Sequence, residues 1–394
     1  MLNITDLKVE EKITPLLRLG FRPFFLLGSG YAALSVAIWV YAFQNGQPDM
    51  LGVPALWWHV HEMLFGFAMA IVAGFTLTAV QNWTGVNGTK SRRLAWLVGL
   101  WLAPRILFWT PAPLWLISSI EAVFLAMLAY EIGWRVYKVK GWRNLFFVPL
   151  FILALIANFA SYATIKGMPP FTSMAVWQAM LWWFVLLLSV MGNRVIPFFT
   201  ARRFNFEKPQ PLFWLDFVAT MPLVLMFVLS FFPLVQAELQ QPILLFAGIF
   251  QLARFVRWKS WKTLSEPLVW SLHLSYQCLP VALILKGFAG SSYFSHTLWH
   301  LIAIGGLGGL ILAMISRVTL GHTGRDIYKG PNMAIPFALV LVAAIVRSIA
   351  VSYFPQYTMQ LIDLTAGLWI VAFAWYVVKF GPMLAKPRTD NRPG

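Results

Sequence analysis

Residues 57–80 read WWHVHEMLFGFAMAIVAGFTLTAV, an apolar run that carries two histidines and a glutamate close to its beginning. About 20 apolar residues suffice for a helix, which rises about 1.5 Å per residue, to cross the roughly 30 Å hydrocarbon core of a bilayer. The run therefore predicts a transmembrane helix. Ionisable side chains inside such a helix are costly, so His59, His61 and Glu62 are the first candidates for a functional site.

The rest of the chain repeats this pattern of apolar runs separated by short turns. Hydrophobic residues make up 59% of the 394 residues and charged residues only 11%, whereas a soluble domain has about 25% charged residues. The runs predict an all-α polytopic membrane helical bundle of about 12 helices, with 1–394 as a single transmembrane domain. The predicted helices are 23–43, 57–80, 94–110, 113–133, 145–165, 172–196, 212–232, 240–258, 265–287, 295–317, 333–352 and 358–379.

Lysine and arginine are concentrated in alternate connections between these helices. Of the 30 basic residues, only Lys166 and Lys286 fall in the intervening connections, and two more lie inside helices. Because basic loops stay on the cytoplasmic side, both termini are predicted to be cytoplasmic, with a short N-terminal segment 1–20 and a C-terminal tail 380–394. Topology thus accounts for the net charge of +16 without nucleic-acid binding. The N-terminus has no signal-peptide core, so the first apolar run is expected to stay in the protein.

Two arginines lie inside predicted helices, each at the depth of an acid in the next helix. Arg105 is seven residues before a turn and Glu121 is nine after it; Arg347 and Asp363 are spaced in a similar way. A lone charge in lipid is costly, so we expect the ion pairs Arg105–Glu121 and Arg347–Asp363. The alternative is that Glu121 or Asp363 carries protons.

All six histidines lie in or beside the predicted helices. The second and tenth helices place His59, His61 and His300 at one depth near the outer surface, and His273 and His322 fall in the cytoplasmic half. His59 and His61 are about 200° apart around a helix, so they cannot both face one metal in a regular turn. Imidazole sites without cysteine favour copper or haem iron in a membrane. The alternative for each histidine is an interfacial or hydrogen-bonded residue.

The surroundings of these histidines leave two interpretations open. The tenth helix carries Gly305-Gly306 and Gly308-Gly309, which fit close helix packing or room for a haem face. Four arginines next to predicted helices are explained by the rule that basic residues stay on the cytoplasmic side. They are also candidates for holding haem propionates, because guanidinium pairs with carboxylate through two hydrogen bonds. These arginines are Arg22, Arg194, Arg317 and Arg325.

Six local strings, in order along nearly the whole chain, resemble the NnrS family of bacterial membrane proteins. The strings are GFRPFF (20–25), WHVHEMLFG (58–66), LTAVQNWTG (77–85), GNRVIPFFT (192–200), LHLSY (272–276) and GHTGR (321–325). The resemblance implies a twelve-helix protein of the bacterial inner membrane that contains haem and copper and is linked to denitrification, nitrosative stress and resistance to nitric oxide. The family's motif histidines fall on His59, His61, His273, His300 and His322, whereas His296 lies outside the motifs.

The leading hypothesis is an oxidoreductase, similar to a nitric oxide reductase, that binds nitric oxide at a haem, expected to be b-type, with copper or a second haem nearby. Two NO, two electrons and two protons would give N2O and water, with electrons from quinol or a separate donor. His61 and His300 are the expected axial ligands of one haem, and Glu62 is the candidate proton donor or partner of a ligand. The alternative is a transporter, or a haem or copper sensor or chaperone, without turnover.

Overall fold

The structure is a computed structural model that describes residues 7–393; residues 1–6 of the predicted N-terminal segment and Gly394 of the predicted tail lie outside that range. Twelve long helices follow one another, and each corresponds to one predicted helix. They are α1 (Phe21–Gln44), α2 (Ala55–Thr84), α3 (Ser91–Leu107), α4 (Leu114–Lys138), α5 (Trp142–Ile165), α6 (Ser173–Phe204), α7 (Phe213–Leu229), α8 (Pro233–Val256), α9 (Pro267–Ala289), α10 (Tyr293–His322), α11 (Ala334–Tyr353) and α12 (Pro355–Ala385).

Ten of these helices are long and apolar enough to cross a membrane, so the chain is a multi-pass membrane protein. The other two, α3 and α7, have 17 residues each, and each carries an ionisable residue, Arg105 or Asp216. Several helices continue past their predicted ends, as α12 does to Ala385. The predicted bounds were too short because they followed the apolar residues alone, whereas a helix can continue into the polar residues at its ends. Within residues 7–393 the strands are Asp49–Met50 and Val53–Pro54, paired antiparallel before α2.

A first compact unit comprises the described residues up to Ser173 together with 315–330 and 374–393. Helix α2 lies at the centre of this unit and packs against α1 and α4. Within the helix, 83% of an apolar stretch of 18 residues is buried. Close approach of α1 and α2 depends on glycine, since a Cβ on Gly20 would lie 2.6 Å from Leu77 Cβ and one on Gly74 would lie 2.9 Å from Phe24 Cβ. The unit therefore holds α2 rigidly, which fixes the side chains near its beginning.

The end of the chain is tied to this first unit. Arg22 Nη1 donates hydrogen bonds to the carbonyl oxygens of Leu384 (2.8 Å) and Lys386 (2.7 Å). Arg388 Nη1 donates to the carbonyl oxygen of His322 (2.9 Å) and pairs with Asp390 (2.5 Å). The predicted tail is thus held against α1 through Leu384 and Lys386 and against the end of α10 through Arg388.

A second compact unit comprises 174–314 and 331–373. Its polar core is a buried network in which the Arg254 guanidinium donates to Ser189 Oγ (2.7 Å) and to Gln251 Oε1 (2.6 Å). Tyr276 joins it with hydrogen bonds to Arg254 and Gln251, and Asp216 lies 3.6 Å from Arg254. The network satisfies an arginine inside α8, where an isolated charge would be unfavourable.

The predicted pair Arg347–Asp363, which would lie in this second unit, is wrong. Among the residues that the structure describes, no ion pair joins the two, and the titratable neighbour of Arg347 is Tyr293. Arg347 lies in a π-helical turn, Val346–Ala350, which changes the direction of its side chain around α11. Equal depth in two helices means that two side chains lie at the same height in the membrane, but it does not determine whether they point toward each other.

The glycines of α10 pack against side chains of the second unit, which supports the interpretation of close helix packing. A Cβ on Gly305 would lie 2.6 Å from Cys278 Sγ and 3.0 Å from Ala344 Cβ, and one on Gly308 would lie 2.5 Å from Trp369. Cys278 and Trp369 therefore occupy the space beside these two glycines that a haem face would need.

Replacing Gly305 with alanine is therefore expected to destabilise the protein by about 1–3 kcal/mol, because the added methyl group forces neighbours out of their positions. Thermal unfolding of the purified protein in detergent measures this. Gly367→Ala is the matched control, because a Cβ there meets nothing within 4 Å and alanine favours the helix. Equal melting temperatures for the two variants would contradict the packing argument.

Candidate metal centre

The beginning of α2 changes its helical geometry at His61. The α-helical part, Ala55–His61, ends at this histidine, and a π-helical turn, Glu62–Ala68, follows it. Such turns are rare and occur frequently at functional sites. Gly66 lies within the turn, and a Cβ there would be 2.8 Å from Glu62 Oε2 and 2.8 Å from Tyr31 Cε1. The glycine thus leaves room for the Glu62 carboxylate.

His61 lies between two carboxylates. Its Nδ1 is 2.8 Å from Glu62 Oε1, and its Nε2 is 3.2 Å from Glu121 Oε2. One ligand atom from each of the three residues falls within 4.8 Å of the others, a group that could hold a metal ion. Trp57 and Phe65 stack on the imidazole with ring centroids 4.5 and 5.0 Å away. We call His61, Glu62 and Glu121 the His61 cluster.

Arg105 of α3 joins both carboxylates of the cluster. Its Nη1 lies 2.9 Å from Glu121 Oε1, which confirms the predicted ion pair, and its Nε donates to Glu62 Oε2 at 3.1 Å. The same Nη1 donates to the carbonyl oxygen of Trp101 at 2.9 Å. Arg105 is 5% exposed, so the pairing takes place away from solvent.

Neutral donors from two further helices complete the site. Tyr31 of α1 donates to Glu62 Oε2 at 2.6 Å. On α5, Asn158 donates to Glu121 Oε2 at 2.7 Å and Tyr162 to the same oxygen at 3.0 Å. The five helices α1 to α5 thus converge on two carboxylates, and each carboxylate is fixed by several donors.

The charges of this site do not cancel unless one more positive charge is present. With Glu62 and Glu121 ionised and Arg105 positive, a neutral His61 leaves one net negative charge. An uncompensated charge buried in a membrane protein costs several kcal/mol. The balance requires one more proton, on His61 or on a carboxylate, or a bound cation. A proton on His61 and a cation exclude each other at the nitrogen that coordinates. The site can therefore bind a metal ion or hold a proton.

His59 lies outside the His61 cluster. Its imidazole stacks on Trp39 of α1 with ring centroids 4.2 Å apart, while His61 points toward α4. The spacing argument is confirmed, because the two histidines face different surroundings. A role for His59 at a second metal stays a prediction.

The other predicted residues of the first unit lie near the end of α10. His322 packs against Phe21 of α1 with ring centroids 5.5 Å apart. Arg317 Nη2 donates to Tyr328 Oη at 2.9 Å, and Arg325 Nη1 donates to the carbonyl oxygen of Thr323 at 3.4 Å. Arg22, Arg317 and Arg325 thus each donate at least one hydrogen bond to another residue of the protein.

In the second unit, His273 offers a free lone pair. Thr200 Oγ1 donates its proton to the carbonyl oxygen of Ile196 (2.7 Å) and lies 2.8 Å from His273 Nε2. Nε2 is therefore the protonated nitrogen, and Nδ1 is an acceptor with no hydrogen-bond partner among residues 7–393. An imidazole held by one N–H with its other nitrogen open has the form of a metal ligand.

His300, Arg194 and His296 also belong to the second unit. His300 ends the α-helical first part of α10, and a π-helical turn, Leu301–Gly308, follows it, just as one follows His61. Arg194 lies in α6. That His61 and His300 are the two axial ligands of one haem stays a prediction.

A comparison with protein families gives one match. The family model described as NnrS protein matches residues 15–388 of this chain, which is nearly its whole length and includes all six histidines. No curated protein matches the chain.

Proposed function

This chain belongs to the NnrS family, and on that premise we propose that it is a metal-containing protein of the bacterial inner membrane that acts on nitric oxide. We place both termini in the cytoplasm, as the distribution of basic residues predicts. The observation that carries the proposal is the His61 cluster, because three ligand atoms within 4.8 Å of one another lie in a buried site that lacks one positive charge.

The His61 cluster suits a small metal ion such as copper. Imidazole and carboxylate donors together bind first-row transition metals. One nitrogen of His61 would bind the ion beside one carboxylate, and the other N–H would donate to the second carboxylate, an arrangement that orients histidine ligands. Because both ring nitrogens face carboxylates and both ring faces are covered, a metal ion fits His61 better than a haem plane does.

We assign haem to the remaining motif histidines. His273 fits such a role, since its Nδ1 has no hydrogen-bond partner among the described residues and lies among the aromatic rings of Phe255 and Trp258. His59, His300 and His322 are the other candidate ligands, and Arg22, Arg194, Arg317 and Arg325 are candidates for the propionates. When bound, haem and copper supply the one-electron chemistry that nitric oxide requires.

The residues of the chain itself handle protons in this proposal. Reduction of two NO to N2O and water consumes two protons with the two electrons, which quinol or a separate donor must supply. Glu62 holds a proton next to His61, and Tyr31 and Arg105 fix the carboxylate that gives it up. Trp57 and Phe65 keep water from the imidazole faces.

Metal analysis and optical spectroscopy of the purified protein test the proposal. From cells supplied with haem and copper, we expect a Soret band, bound copper, and a spectral shift when the anaerobically reduced protein meets NO. A transporter without haem would instead accumulate substrate in vesicles and show no Soret band. A colourless preparation without metal would overturn the proposal.

A further inference from the structure

Lys286 is a buried cation near the end of α9, in the second unit. Its side chain is 6% exposed, and its Nζ donates to the carbonyl oxygen of Ser295 at 2.6 Å and approaches Ser295 Oγ at 3.3 Å. The ring of Trp299 lies 4.6 Å from the same nitrogen. All of these partners are neutral, and in the described part of the chain no carboxylate forms an ion pair with Lys286.

A pocket of about 60 Å³ adjoins this lysine. A cavity needs about 10–15 Å³ to hold one water, so the pocket has room for a small ligand and not for haem or a quinone ring. Its lining contains no acid and is rich in donors: the amides of Gln178, Gln236 and Gln240 and the hydroxyls of Ser291 and Ser295.

Trp182 provides an independent observation. It lines the same pocket, is fully buried, and its indole Nε1 has no hydrogen-bond partner among residues 7–393. An indole N–H is only a donor, and buried polar groups without a partner are uncommon in native proteins. The pocket thus combines an ammonium that no carboxylate balances and a lining tryptophan whose N–H has no acceptor, and both features favour a ligand that accepts hydrogen bonds.

We propose that the Lys286 pocket binds a small inorganic oxyanion of the size of nitrite or nitrate. A negative charge balances the ammonium, and several oxygen atoms accept from donors on different sides of the pocket. A metal cation is excluded by like charge with Lys286. The pocket is formed at the start of α6, α8 and α10 and the end of α7 and α9, which the topology predicts to be the outer side, so the anion would enter from outside the cytoplasm.

Calorimetric titration of the purified protein in detergent with sodium nitrite, sodium nitrate and sodium chloride tests this inference. The wild type is expected to bind nitrite or nitrate saturably. Lys286→Gln removes the charge at nearly constant length and is expected to weaken binding about tenfold or more, whereas Lys286→Arg keeps the charge and retains binding. Lys166→Gln, at an exposed lysine of another outer connection, should bind as the wild type does.

Each contrary result is decisive. A folded wild type without saturable binding, or a Lys286→Gln variant that binds as tightly as the wild type, would overturn the site. Chloride binding as tight as that of nitrite would overturn its assignment to an oxyanion. Because the readout is binding of the anion alone, a protein without haem or copper can still pass this test, which separates it from the test of the proposed function.

Discussion

Replacing His61 with alanine is expected to abolish the metal binding that we propose for the His61 cluster and to destabilise the fold. The variant loses the nitrogen ligand and leaves Glu62 and Glu121 against Arg105 alone, with one uncompensated negative charge. Breaking a buried ionic group in this way costs about 3–5 kcal/mol. Elemental analysis of the purified protein measures the metal, and thermal unfolding in detergent measures the stability.

His61→Gln keeps this prediction testable if the alanine variant does not fold, because glutamine donates to a carboxylate but binds metals poorly. His296→Ala is the matched control, since His296 lies outside the cluster. We expect the control to keep its full metal content. A His61→Gln variant that folds and binds as much copper as the wild type would refute the assignment of metal to this cluster.

Replacing Arg105 with glutamine is expected to have the second large effect. It removes the cation that contacts Glu121 Oε1 at 2.9 Å and Glu62 Oε2 at 3.1 Å, so two buried carboxylates share only the one remaining positive charge of the site, a proton or a bound cation. We expect a loss of stability of about 3–5 kcal/mol. The double variant Arg105→Gln with Glu121→Gln should regain much of it, because the charge balance of the cluster returns to that of the wild type.

An exposed ion pair provides the control for Arg105. Lys329 and Asp326 are 85% and 51% exposed at their side chains and lie 3.9 Å apart, and loss of an exposed pair typically costs about 0–1 kcal/mol. Lys329→Gln should therefore melt close to the wild type, and an equally small effect of Arg105→Gln would contradict the argument that its ion pairs are buried.

Most of the fold follows from the sequence because bilayer thickness sets the length of an apolar run. All twelve predicted helices are present, and the depth argument places Arg105 beside Glu121. The same argument fails for Arg347, because a π-helical turn redirects its side chain and one extra residue per turn leaves no signal in hydropathy. The turns that follow His61 and His300 were missed for the same reason.

Part of the candidate site was also predictable. Histidine and glutamate in an apolar helix are conspicuous, so the sequence predicted His61 and Glu62 as site residues, whereas it predicted Glu121 as part of an ion pair or, alternatively, as a proton carrier. One signal could have linked Glu121 to the site. Glu121 lies at the same depth as Arg105, and Arg105 itself lies deep in the bundle. Tyr31 and Asn158 are ordinary residues of apolar helices, and only the tertiary packing shows that they hold the carboxylates.

The shortness of α3 has a consequence for how the chain enters the bilayer during synthesis. An arginine inside a transmembrane helix is costly when the helix leaves the translocon for lipid. Arg105 lies in the last turn of α3, which has only 17 residues to offset that cost. Helix α4 follows after a tight turn and brings Glu121 to Arg105. We therefore expect α3 to remain at the translocon until α4 emerges, and the two to partition together as a hairpin whose charges are already neutralised.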